Sequence, residues 1–123
     1  MAIYRLHRGV DYRDVADAHI LASELKEKKI FDQFVISGNT PFLKSDLEKL
    51  AKNPESIIRE RHPQIAYEFD KRNWNFPTKI DRVYDSSYAE NKLNWKSKRG
   101  ALDVIKQFDN EDYEILPTIL KKY

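Results

Sequence analysis

The sequence of 123 residues contains no cysteine. Disulfide bonds and thiolate chemistry are therefore excluded, and a reducing compartment fits the composition. Glycine is also scarce, since Gly9, Gly38 and Gly100 are the only three. They lie too far apart to form a glycine-rich loop, in which backbone amides approach the phosphates of a nucleotide at a helix N-terminus. The usual phosphate-binding loop is thus excluded as well.

Long apolar runs and a surplus of one charge sign are also missing. No run approaches the ~20 apolar residues of a membrane-spanning helix, and residues 1–14 carry charges throughout, unlike a signal peptide. The 22 basic and 20 acidic residues leave a net charge of +2, which argues against a dedicated partner in nucleic acid or membrane. With 41% hydrophobic residues, the chain is predicted to be a single cytoplasmic domain, residues 1–123.

Hydrophobic periodicity predicts a helix-rich α+β fold with two or three short strands. Asp14 is the predicted N-cap of the first helix, and Pro54 and Pro63 open two later helices. The helices are expected at 14–25, 44–53, 54–62, 63–74, 86–95 and 99–110, and extended structure is expected at 3–12, 30–38 and 80–85. Segment 30–38 is rich in β-branched and aromatic residues, but it has no obvious neighbouring strand.

One pair of residues resembles a catalytic motif. Residues 85–95, DSSYAENKLNW, place Tyr88 and Lys92 four positions apart. This is the spacing of the Tyr-x-x-x-Lys pair of short-chain dehydrogenase/reductases, in which the lysine lowers the pKa of the tyrosine and the phenol exchanges a proton with the substrate. A pair at i, i+4 on a helix face is also ordinary, so the spacing alone does not make a site.

Three further segments resemble the extended members of that superfamily, the NAD-dependent epimerases/dehydratases. Residues 8–22, RGVDYRDVADAHILA, resemble the family's V-D-x-x-D-V-A-x-A-H segment. Residues 34–42, FVISGNTPF, resemble the strand and turn that follow, and residues 80–100 resemble the late D-x-x-K/R-A-x-x-x-L-G-W-x-P segment. The resemblance implies a truncated or split nucleotide-sugar epimerase/dehydratase: the C-terminal, substrate-binding part, with no NAD site and no catalysis of its own.

The resemblance also implies roles for individual residues. In the family the catalytic pair precedes the segment matched by residues 8–22, so Tyr88 and Lys92 would belong to a packing helix instead. Arginines of the family hold the diphosphate of a nucleotide sugar, and the positional matches are Arg8 and Arg82. Guanidinium groups suit this task because they form paired, charge-assisted bonds to phosphate.

The alternative for both arginines is an ordinary ion pair at the surface. Asp11, Asp14 and Asp85 are the nearby acidic residues that such pairs would use. Three histidines lack the spacing of metal ligands, so no metal site is predicted; they are His7, His19 and His62. The basic cluster 96–99, KSKR, is interpreted as a solvated loop rather than as a site for RNA or phosphate.

A second hypothesis, from a different functional class, is a stand-alone protein-interaction module. A strand at Phe34–Ser37 without a neighbour would leave backbone groups unpaired beside the apolar side chains of Phe31 and Val35. We expect such an edge to associate with a second copy, as a homodimer, or with the missing nucleotide-binding half.

Overall fold

The structure, a computed structural model, describes residues 1–26 and 31–111. All regular secondary structure within these ranges is helical, and they contain no strand. The elements in chain order are α1 (Ala2–His7), α2 (Tyr12–Ser23), a short 3-10 helix (Lys44–Asp46), α3 (Leu47–Lys52), α4 (Pro54–Arg61), α5 (Pro63–Lys71), α6 (Ser87–Leu93) and α7 (Ala101–Asp109). No helix in the described part of the chain is long and apolar enough to cross a membrane.

Local sequence rules place most helix starts correctly. Pro54 and Pro63 open α4 and α5, as predicted, because proline lacks the amide that a first turn leaves unbonded. The N-cap of α2, however, is Asp11 and not Asp14. The carboxylate of Asp11 accepts the backbone N–H of Arg13 at 3.0 Å, and Asp14 lies in the first turn. The Asp14 side chain does not cap the helix and instead accepts hydrogen bonds from residues distant in the sequence.

The prediction of two or three short strands is wrong. Residues 3–7 lie within α1, while 31–38 and 80–85 are irregular. Their backbones make isolated hydrogen bonds: Gly38 N donates to Gly9 O at 2.8 Å, and Tyr84 N donates to His7 O at 2.7 Å. A strand requires a ladder of such bonds to a neighbouring strand. Single bonds instead attach these two segments to the region of α1.

The main core lies among α1, α3, α4, α5 and α7. Its fully buried side chains are Leu6, Leu50, Ile57, Ile58 and Ile65, with at most 2% exposure. Side chains at i, i+3, i+4 and i+7 form one face of a helix, which is how short helices bury apolar surface together. In α7, Ile105 is buried in this core, whereas Phe108 is half exposed.

A second core is smaller and joins α2 to α6. Ala18, Ala89, Leu93 and Trp95 are buried there, and Phe34 and Ile36 from the irregular segment pack against them. The side chain of His19 on α2 is exposed, and its Nδ1 lies 2.8 Å from Val15 O. The second core therefore packs the irregular segment between α2 and α6.

Candidate functional site

A cleft of about 260 Å³ lies between α1 and the segment 75–81. We call it the α1 cleft. Tyr4, His7 and Arg8 line it from the α1 side, and Phe76 and Lys79 line it from the other side. It combines two aromatic rings with two cationic groups. Such a lining suits a ligand that carries both a ring and negative charge.

Arg8 contributes its positive charge to this cleft. Its guanidinium carbon lies 4.7 Å from the centroid of the Tyr4 ring, so the cation rests on the ring face. Within the described ranges no ion pair involves Arg8. The carboxylates of Asp11 and Asp14, which could have neutralised it, bind other arginines. The surface ion pair that was the alternative for Arg8 is therefore not formed among the described residues, and a binding role for Arg8 stays a prediction.

Arg82 is placed differently. Its exposed guanidinium lies with Nε 3.6 Å from Asp81 Oδ1, as an ion pair with its sequence neighbour. Hydrogen bonding with Tyr84, together with the charge of Asp81, raises the pKa of Arg82. Its backbone carbonyl, not its side chain, reaches the cleft region, where it lies 3.2 Å from His7 Nδ1. The structure thus brings Arg8 and Arg82 to the same histidine, but only Arg8 lines the cleft.

His7 is a buried histidine with a defined tautomer. Because the Arg82 carbonyl can only accept, His7 Nδ1 must carry the proton, and Nε2 is left as an acceptor. Burial lowers the pKa of His7, and the charge of Arg8 acts in the same direction. The imidazole is therefore neutral near pH 7. The net positive charge of the cleft comes from Arg8 and Lys79 and is partly offset by Asp81, which also lines it.

Sequence reasoning found Arg8 but missed Tyr4, Phe76 and Lys79. These residues come from positions about seventy apart in the chain and share no motif. No sequence signal could have united them, because the cleft exists only where the segment 75–81 passes α1.

A second polar site is centred on the carboxylate of Asp14, a residue that is fully buried. The carboxylate accepts hydrogen bonds from Ser97 Oγ at 2.8 Å, Lys98 N at 3.0 Å, and Arg99 N and Nη1 at 3.1 and 2.6 Å. Burial alone would raise the pKa of Asp14, but these bonds outweigh it and hold the pKa below its ordinary value of 3.8. We call this arrangement the Asp14 latch.

The Asp14 latch includes part of the basic cluster 96–99. Two of its amides and the guanidinium of Arg99 are committed to Asp14, and Lys98 Nζ lies 3.0 Å from Asp17 Oδ2. This arrangement favours an internal anchor over a surface that recognises phosphate.

The three segments that resemble the epimerase/dehydratase family meet around the latch. Trp95 Nε1 donates to Asp14 O at 2.9 Å, which joins the late segment to the first. Asn39 Nδ2 donates to Ser97 O at 3.0 Å, which joins the middle segment to the late one. The bond from Gly38 to Gly9 joins the middle segment to the first. Each pair of segments is therefore in direct contact.

None of the three glycines provides a cradle for the diphosphate of NAD. A Cβ on Gly9 would lie 2.8 Å from Tyr4 C, and one on Gly38 would lie 2.7 Å from Gly9 O, so both are packed against backbone. Gly100 is not packed against backbone, but its amide donates to the Asp103 carboxylate at 2.8 Å. The three glycines therefore do not form a glycine-rich phosphate-binding loop.

Tyr88 makes packing contacts within the described chain. Its ring stacks on Phe34 with centroids 5.5 Å apart, and its hydroxyl donates to Asp32 Oδ2 at 3.1 Å. These contacts favour its interpretation as a residue of a packing helix, which fastens the segment 31–38 onto α6.

We predict that Tyr88→Phe changes stability slightly and ligand binding not at all. Loss of one half-exposed hydrogen bond should lower the free energy of unfolding by about 0.5–1.5 kcal/mol, measured by urea denaturation. Tyr12→Phe is the matched control, since Tyr12 is an exposed tyrosine on α2. Loss of ligand binding at unchanged stability would contradict a packing role for Tyr88.

No group of three or more histidine, cysteine, aspartate or glutamate side chains in residues 1–26 and 31–111 is arranged to hold a metal ion. Comparisons with family models, with curated proteins and with solved structures found no match. The family resemblance therefore depends on the residues of the three segments.

Proposed function

We propose that this chain is the substrate-binding part of a protein similar to NAD-dependent nucleotide-sugar epimerases/dehydratases, and that it does not catalyse the reaction alone. One observation carries the proposal: the three segments that resemble the family contact one another pairwise around Asp14, although up to eighty residues separate them in sequence.

The α1 cleft is the proposed ligand site. Arg8 and Lys79 would bind the diphosphate, because Arg8 can form paired, charge-assisted bonds and Lys79 adds a mobile cation. Tyr4 and Phe76 give the cleft aromatic surface for the base or the sugar, although the guanidinium groups of Arg8 and Arg59 each lie over one face of these rings. The volume of about 260 Å³ is just below the ~300–1,000 Å³ typical of ligand pockets. Part of a nucleotide sugar would therefore lie across the rim of the cleft.

Isothermal titration calorimetry with a uridine diphosphate sugar tests this site. We expect binding in the micromolar to millimolar range, and Arg8→Ala should weaken it about tenfold, the effect of removing one charge-assisted bond worth ~1.5 kcal/mol. Arg82→Ala should have a smaller effect, since its guanidinium is paired with Asp81 outside the cleft. Lys71→Ala, an exposed lysine of α5, is the control for general loss of charge.

Two results would contradict the proposal. Equal weakening by Arg8→Ala and Lys71→Ala would mean that only net charge attracts the ligand. Stoichiometric binding of NAD(H), or turnover of the nucleotide sugar by the chain alone, would mean that a cofactor site exists that the three glycines do not explain.

A further inference from the structure

The segment 31–36 alternates in exposure with a period of two. Phe31, Gln33 and Val35 are exposed, while Phe34 and Ile36 are partly buried against the second core. This alternation is typical of an extended chain that lies on a surface with one face. Phe31 and Val35 expose 79% and 47% of their surface. The inner face is held by the rest of the fold, and the outer face is apolar.

The backbone of this segment is attached to the fold just beyond its end, where Gly38 N donates to Gly9 O at 2.8 Å. No backbone–backbone hydrogen bond joins residues 34–36 to another described residue. An extended chain whose backbone groups lack partners is a template for pairing with another chain.

We propose that two copies of this chain associate by antiparallel pairing of their segments 31–35, with Gln33 on the two-fold axis. In this register Phe31 lies directly opposite Val35 of the second copy. The two-fold axis produces this contact twice, and each contact buries the two exposed apolar side chains of the segment against each other. The axial residue is uncharged, and the two Asp32 side chains become diagonal neighbours across the axis, about 7–8 Å apart, rather than directly opposed. Asp32 Oδ1 accepts Gln33 N–H at 2.9 Å within one chain, and pairing would replace this bond with one to the carbonyl of Gln33 in the second copy.

The neighbouring register is less favourable. A shift that places Phe34 on the axis sets Gln33 against Val35 and Phe31 against Ser37. Ser37 is fully buried and cannot be reached by the second copy. The contact between residues 31 and 35 therefore favours one register over its neighbour. Pairing across a two-fold axis uses the same edge of both copies, so the assembly closes as a dimer.

The absence of cysteine permits a direct test of the register. In the proposed pairing the two Cα atoms of residue 33 lie about 5.5 Å apart, a separation that a disulfide spans. The Cα atoms of residue 35 in the two copies lie about 14 Å apart, four residues along the strand direction, and no disulfide spans this distance. We expect Gln33→Cys to oxidise to a covalent dimer at least tenfold faster than Val35→Cys, which places a thiol at an equally accessible position of the same segment.

Sedimentation of the cysteine-free chain supplies the second measurement. We expect the mass to rise from 14.6 kDa toward twice that value across tens of micromolar. Gln33→Lys, which sets two lysines against each other on the axis, should weaken association by at least about tenfold. Val35→Lys should weaken it as well, whereas Tyr67→Lys, at an exposed aromatic of α5, should not. Circular dichroism establishes that each variant is folded.

Three outcomes would overturn the proposal: a monomer throughout this concentration range, equal oxidation rates for the two cysteine variants, or assemblies that grow beyond the dimer. Association through this edge is independent of the proposed ligand site, since none of the residues 31–35 lines the α1 cleft. Loss of nucleotide-sugar binding by Arg8→Ala would leave the dimer intact.

Discussion

Asp14→Asn is expected to lower the free energy of unfolding by about 3 kcal/mol, the scale of breaking a buried charge pair with its hydrogen bonds. The carboxylate of Asp14 accepts from Ser97, Lys98 and Arg99 and is fully buried. An amide of the same shape offers one acceptor oxygen and turns an NH₂ group toward donors that then have no acceptor. Urea denaturation followed by circular dichroism measures the difference.

Asp17→Asn is the matched control for Asp14→Asn. Asp17 lies one turn away on α2 and pairs with Lys98, but both side chains are substantially exposed. Its replacement should change stability by less than about 1 kcal/mol, as is usual for a surface ion pair. Equal effects of the two substitutions would show that the Asp14 latch contributes no more than a surface interaction.

The dependence on pH gives an independent reading of the same latch. Because the folded pKa of Asp14 lies below its ordinary value of 3.8, its contribution is fully present above that value and is lost as the pH falls toward the folded pKa. The wild-type chain should therefore lose stability more steeply than Asp14→Asn between about pH 5 and pH 2. The pKa of Asp11 is lowered as well, since hydrogen bonds and charge from Arg13 and Arg5 outweigh its burial. Asp11 is present in both proteins, so it adds the same dependence of stability on pH to each. If stability fell equally steeply with pH in the wild-type chain and in Asp14→Asn, the acid sensitivity could not be attributed to Asp14.

Gly38→Ala is expected to destabilise the fold by about 2–4 kcal/mol, because overpacking against backbone is combined with loss of a hydrogen bond. A Cβ there would lie 2.7 Å from Gly9 O and 2.9 Å from Arg5 O. Neither carbonyl can turn aside as a flexible side chain would. The segment must move away from α1, which breaks the bond from Gly38 N to Gly9 O. A fall in the thermal midpoint of roughly 10 °C is expected.

Gly100→Ala distinguishes this steric effect from a general effect of removing glycine. The nearest atom to a Cβ on Gly100 is Asp103 Oδ2 at 4.0 Å, and the backbone of Gly100 is extended, which alanine adopts readily. Its replacement should change stability by less than about 1 kcal/mol. A similar loss in both variants would mean that the contact between Gly38 and Gly9 is not tightly packed.

Several features of this protein follow from the sequence alone. The prolines at 54 and 63 place the starts of α4 and α5, since proline favours the first helical turn and breaks the preceding helix. The cap-type residues that begin 86–95 and the apolar residues of 99–110 predict α6 and α7. The positions of the three glycines exclude a nucleotide-binding loop. All of these rules operate within a few residues, so tertiary contacts have little chance to override them.

Tertiary structure alone decided the rest. Segment 31–38 is rich in β-branched and aromatic residues, which predicts a strand, but a strand also needs a neighbour, and within the described ranges the fold supplies none. The capping pattern at the start of α2 fits Asp11 and Asp14 alike. Asp14 was assigned to the cap because its true partners, Ser97 to Arg99, are more than eighty residues away. Arg8 likewise lines the cleft without an ion pair, because Arg5 and Arg99 bind the nearby carboxylates of Asp11 and Asp14. A sequence pattern shows what a residue can bind, but only the folded chain determines which groups come within reach.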